Sequence, residues 1–80
     1  MSHALTVYLR TGCHLCEDML LQLHELQTVL DLELELIDIA GNPSLEQKYG
    51  EKIPALTGNG QEICHYFLDQ VALQRYIEHQ

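Results

Sequence analysis

The sequence predicts an α/β fold in the order βαβ-α-ββα, a four-stranded mixed sheet covered by three helices, with residues 1–80 forming one domain. Three observations lead there. Period-two apolar alternation marks Ala4–Leu9 and Asp31–Ile39, and a stripe with steps of three and four runs between them. After residue 50, turn residues divide the chain into a hairpin and a closing helix. Eighty residues, 46% of them apolar, suffice for one core and not for two.

In the first segment Leu5, Val7 and Leu9 alternate with Thr6 and Tyr8, β-forming residues that stop at Thr11-Gly12. The helical stripe is Leu15, Met19, Leu23, Leu26 and Leu30, so the first helix runs from Leu15 to about Leu30. From Asp31 to Ile39 the alternation is too strict for a helix, with three leucines on one face and Glu33 and Glu35 on the other. Charges in that pattern suit a solvated edge strand, where they discourage pairing with another molecule.

Asn42-Pro43 has the form of an N-cap followed by proline at the first helical position, opening a short helix that Gly50 stops after Tyr49. Ile53–Thr57 and Glu62–Tyr66 flank Gly58-Asn59-Gly60 and read as a hairpin, with Pro54 at the head of its strand. Asp69 caps a last helix carrying Val71, Ala72, Leu73, Tyr76 and Ile77. A βαβ unit needs a parallel pair and a hairpin adds antiparallel strands, so the sheet is mixed.

Four Lys plus Arg stand against twelve Asp plus Glu, a net charge of −8. Binding to a phosphate backbone draws on basic side chains, so nucleic acid is not an expected partner, and neutral or basic partners are favoured. No apolar run approaches the length that spans a bilayer, and no basic segment leads into an apolar stretch at the start. The expectation is a soluble, cytoplasmic monomer with no membrane partner.

Three cysteines cannot form a fully paired internal framework, and only Cys13 and Cys16 are close in sequence. That pair falls where the first strand turns into the first helix. Free N–H groups and the positive end of the helix dipole favour an anion there, so Cys13 reads as the attacking thiolate. Cys16, one turn on, reads as the thiol that resolves the mixed disulfide. His14, when protonated, and Arg10 support the thiolate, whereas Glu17 and Asp18 oppose it. Cys64 reads as a small buried or half-buried thiol. His3, His24 and His79 have no partners that would make a site.

Two other readings stay open. Cys13 and Cys16 could serve a zinc site completed by Cys64 with His65, His14 or His24, although adjacent strand residues face opposite ways and no second close-spaced ligand pair exists. Alternatively the domain is an interaction module whose cysteines do no turnover.

Cys13-His14-Leu15-Cys16 after a short strand, Ile53-Pro54 opening the third strand, a glycine-bearing turn and a closing helix together resemble the glutaredoxin and thioredoxin families. The match is nearest the small glutaredoxin-like proteins with a nonstandard middle pair. This resemblance implies a thioredoxin-like fold and a thiol-disulfide oxidoreductase that exchanges its Cys13/Cys16 dithiol with protein or low-molecular-weight disulfides in redox homeostasis. It implies a cis Pro54 beside the cysteines, a free Ile53 backbone for pairing with substrate, and Asp69 placed to meet an amino group. It implies no tightly bound cofactor and no metal, with glutathione or a flavin-dependent reductase as reductant. Glutathione-using relatives carry a lysine where Arg10 stands and a glycine pair near the positions of Cys64 and His65.

Overall fold

A computed structural model describes residues 2–79. The elements are β1 (His3–Leu9), α1 (His14–Leu30), β2 (Leu32–Asp38), α2 (Pro43–Tyr49), β3 (Ala55–Gly58), β4 (Gln61–His65) and α3 (Gln70–Glu78). The sheet order is β2-β1-β3-β4. β1 pairs parallel with β2 through the α1 crossover, while β3 runs antiparallel to both β1 and β4. The mixed sheet and its element order are those expected from the sequence.

The alternation in β1 sorts its side chains between two layers. Leu5 and Val7 are buried with Met19 and Leu23 of α1 and Leu73 of α3, and Leu56 of β3 completes this larger core. Tyr8 points into a smaller cluster with Ile39, Tyr49, Ala55 and Ile53, which α2 covers. There the rings of Tyr8 and Tyr49 stack 4.2 Å apart. As an inner strand β3 is buried throughout, and its one buried polar side chain, Thr57, is satisfied by donating to Thr6 O at 3.2 Å. Glu33 and Glu35 do lie exposed on an edge, because β2 has a partner on one side only.

Local details depart from the sequence reading. Asp31 is not the first residue of β2: it adopts φ 55 and ψ 58 as the left-handed C-cap of α1, its N–H donating to Gln27 O. Leu36 is 48% exposed although it shares the face of Leu32 and Leu34 and pairs with the buried Val7, because β2 is the edge strand and has a neighbour on one side only. Gly50 stops α2 with φ −52, a right-handed conformation, so its backbone freedom is not what ends the helix. Val71 is exposed, and Leu73 instead anchors α3 in the core.

Gly58 belongs to β3 and not to the turn, which consists of Asn59 and Gly60 with φ 52 and 79. Two successive left-handed residues make the two-residue connection that matches strand twist. On β4, Thr57 pairs with Glu62 and Leu56 with Cys64, leaving Ile63 as a bulge. Tyr66 lies beyond β4 with φ 65. Its N–H donates to Pro54 O at 2.9 Å and its hydroxyl donates to Glu51 O, two anchors that hold a conformation L-residues seldom take.

Candidate active site

β1 ends at Leu9, and the chain reaches α1 through Arg10, Thr11 and Gly12. Gly12 has φ 80, which turns the backbone so that Cys13 arrives extended, φ −94 and ψ 116, as the N-cap of α1. N-caps normally offer an oxygen to the orphan N–H groups of the first turn. Here the acceptor is sulfur: Cys16 N–H donates to Cys13 Sγ at 3.1 Å, and Glu17 N–H donates to Cys13 O at 3.1 Å. Cys13 remains partly exposed while Cys16, on the inner side of the first turn, is 2% exposed.

Burial is the largest reason the Cys16 thiol is pushed up to about 11, and its contact with Cys13 adds to it. The backbone N–H and the charge of Arg10 act in the opposite direction. The two thiols of the pair thus occupy unlike environments, one at the surface among N–H donors and one sealed behind it.

The Arg10 guanidinium pairs with Glu46 of α2, and its charge lowers the Cys16 thiol. Next to it, Thr11 Oγ1 donates to Asp38 Oδ2 at 2.9 Å and Ala40 N–H donates to Asp38 Oδ1 at 2.8 Å. The Ala40 N–H is the chief cause, and the Thr11 hydroxyl the next, of a carboxyl held below its usual range. These contacts fasten the β1–α1 loop to the end of β2 and to α2 on the two sides of Arg10-Thr11.

The register places Pro54 on the same end of the sheet. Tyr8 pairs with Ala55 in the antiparallel β1–β3 ladder, so the residue before Ala55 lies level with Leu9, where the chain departs for the cysteines. The Ile53–Pro54 peptide bond is cis. Pro54 is buried, whereas Ile53 is half-buried against the Tyr49 cluster. Tyr66 joins this end through its bond to Pro54 O.

The remaining candidates are spread out. His14 is exposed in the first turn of α1. Asp69 is the N-cap of α3, its Oδ1 accepting Ala72 N–H at 3.0 Å, and its nearest thiol is Cys64, which accepts its backbone N–H. Cys64 is half-buried against the larger core, and burial raises its thiol. His65 contacts Glu62 at 2.8 Å and packs edge-on against Tyr66. Among the described residues no three or more His, Cys, Asp and Glu gather as a metal-holding cluster. Also among them, no helix is long and apolar enough to cross a membrane.

Sequence reasoning did not single out Thr11, Asp38, Glu46 or Tyr66 at this end of the sheet. Their partners lie 27 residues away for Thr11–Asp38 and 36 for Arg10–Glu46, so no local spacing announces them.

Comparison with known proteins agrees with this geometry. The solution structure of protein Ne2328 from Nitrosomonas europaea is 44% identical, with a TM-score of 0.86 over 95% of this chain and 92% of that one. The X-ray structure of XcR50 from X. campestris is 26% identical, with a TM-score of 0.76 over 95% of this chain and 97% of that one. Thioredoxin 1 from Thermosipho africanus shares the fold, with a TM-score of 0.62 at 24% identity over 94% of each chain. An uncharacterised protein of Mycobacterium tuberculosis is 30% identical over 73 residues, 85% of this chain and 75% of its own length. The glutaredoxin-like domain model (DUF836) matches residues 4–78, a span that holds the cysteine pair, Pro54 and all three helices. The chain has a thioredoxin-like fold and belongs to the glutaredoxin-like domain family.

Proposed function

We propose that this domain is a dithiol-disulfide oxidoreductase in which Cys13 attacks and Cys16 resolves. One observation carries the reading: the partly exposed Cys13 sulfur sits at the N-cap of α1 and accepts the N–H of Cys16, whose own thiol is buried behind it. A sulfur that takes the place of a capping oxygen is placed where negative charge is favoured.

Cys13 S⁻ attacks one sulfur of a disulfide RS–SR′, forming Cys13–S–S–R and expelling R′S⁻, which takes a proton from water. Cys16 then gives up its proton to water and, as thiolate, attacks Cys13 Sγ, expelling RS⁻, which takes a proton from water to become the second thiol. The protein ends as the Cys13–Cys16 disulfide, oxidised by two electrons, and the substrate as two thiols. A thiol reductant, glutathione or a protein dithiol, reverses the change. In the resting dithiol Cys16 is held protonated, partly by the neighbouring Cys13 sulfur. Once Cys13 is bonded to substrate its charge is gone, leaving burial opposed by the Arg10 N–H and charge. Cys16 therefore becomes a better nucleophile after the first step than before it. The substrates are protein or low-molecular-weight disulfides.

The test is titration against glutathione redox buffers followed by intact mass. The expected result is a single loss of two hydrogens mapped to Cys13–Cys16, at a potential within the roughly −270 to −120 mV spanned by dithiol couples on this fold. Cys13→Ser should abolish exchange, and Cys16→Ser should stop at a mixed disulfide. Stoichiometric zinc in protein purified without chelator, released on alkylating Cys13 and Cys16, would instead make the pair a metal site.

A further inference from the structure

Beside the cysteine pair runs a shallow groove of about 460 Å³ between α1 and the segment joining β4 to α3. Leu15 and Leu21 of α1 and Tyr66, Phe67 and Leu68 of that segment form its apolar surface. Leu21 is 64% exposed and Phe67 68%, and the two line one groove, so they form a patch and not scattered single exposures.

The polar side chains lining the groove are Asp18, Gln22 and Glu25. No Lys, Arg or His lines it; of the histidines around it, His65 contacts Glu62 and His24 contacts Gln27, and His14 is exposed in the first turn of α1. The groove is thus apolar with an acidic flank on a chain of net charge −8. Leu15, at one end of it, lies between the two cysteines in sequence, so the groove starts at the first turn of α1, which carries the pair.

The geometry points to this groove as the docking site for the chain flanking a substrate protein's disulfide, with large apolar residues and Lys or Arg beside the target cysteine. This deepens the exchange reading and rests on it for the identity of the occupant. From Leu15 to Glu25 the helix advances by ten residues at about 1.5 Å each, roughly 15 Å. Extended peptide covers that in about four or five residues. The specificity-bearing segment is therefore short: an apolar side chain against Leu21 and Phe67, and a cation within reach of Asp18 or Glu25. Charge complementarity of this kind acts on encounter rate and weakens with salt.

The test uses two cysteine peptides of equal length, one with Leu and Lys/Arg within five residues of the cysteine and one with Ser and Glu at those places. With serine replacing the cysteine, each is titrated into the reduced 15N-labelled protein. The first should shift amides of Leu15, Leu21, Gln22, Phe67 and Leu68 and the second should not, and Asp18→Lys/Glu25→Lys should weaken binding at least fivefold. Shifts confined to another face, equal binding of both peptides, or unchanged affinity in the double variant would overturn the assignment. So would sedimentation showing that a second copy of this chain covers the groove. In parallel, reduction of hydroxyethyl disulfide by the wild-type protein reports on the exchange reading alone. Exchange without peptide preference removes only the groove, and peptide binding without exchange removes only the oxidoreductase.

Discussion

The phenol end of Tyr76 fills the space that a side chain on Gly58 would need: a Cβ there would lie 2.4 Å from Cζ and 2.5 Å from Oη of the ring. The glycine at the end of β3 is what lets α3 close on the sheet, so the pair is a packing device and not a turn.

Replacing Gly58 by Ala therefore overpacks this contact, and a stability loss of about 1–3 kcal/mol is expected. Adding Tyr76→Leu should return part of it by vacating the ring's position. Urea midpoints at constant slope measure both, and a neutral Gly58→Ala in the parent background would show that the ring moves aside freely.

Limiting iodoacetamide at neutral pH should label Cys13 before Cys16 and Cys64. Cys13 is the accessible thiol of its pair, while burial raises both of the others. Peptide mapping after partial reaction decides the order, and equal labelling in the folded protein would contradict it.

Stability of the reduced protein should decline between about pH 9 and 11 through Cys16. Folding raises this thiol from 9.0 to about 11, so its contribution is complete below 9, where both states hold the proton. Above 9 the unfolded chain releases a proton that the folded chain retains, and the contribution is lost as pH rises through about 11. Cys16→Ala should flatten this alkaline slope relative to the parent, with Cys64 supplying a residual slope of the same sign. Identical slopes in denaturant titrations at pH 8, 9, 10 and 11 would rule the linkage out.

At Asp69, alanine should cost about 1 kcal/mol by removing the oxygen that accepts Ala72 N–H, whereas asparagine, an equally good N-cap, should cost much less. Thermal midpoints of the two variants separate capping from any role of the charge. If asparagine destabilises as much as alanine, the carboxylate does more than cap.

Deglutathionylation should be slow, because a −8 chain repels an anionic tripeptide and Cys64-His65 stand near where the resemblance to glutathione-using relatives implies a glycine pair. The repulsion should fade as salt shortens the screening length from about 10 Å at 0.1 M to about 3 Å at 1 M. The part set by shape should persist. A fast, salt-independent reaction would contradict both.

Much of this was legible because it is local. The alternation of Leu5, Val7 and Leu9, the Leu15–Leu30 stripe and the Asn42 and Asp69 caps each draw their signal from residues within a turn or a strand of one another. The cysteine pair falls in the same class, since a strand followed by a helix puts any C-x-x-C between them at the helix N-terminus. Boundaries slipped where a residue's conformation answers to something distant. Asp31 looks like a strand residue by alternation and becomes a left-handed cap, and Tyr66 is pulled out of β4 by Pro54 and Glu51.

By itself, then, the sequence determined the order of elements, the position of Cys13 at a helix start and the choice of β2 as a charged edge, because these follow from periodicity, caps and turn residues. Tertiary structure alone decided that Arg10 faces Glu46, that Thr11 is tied to Asp38, that Gly58 makes room for Tyr76, and that Phe67 and Leu21 lie open on one groove. Each of those joins residues far apart in the chain: the Arg10 and Thr11 contacts exist only once strand pairing has brought the ends of β1, β2 and β3 together, and the Gly58–Tyr76 contact, at the other end of β3, only once α3 has closed on the sheet.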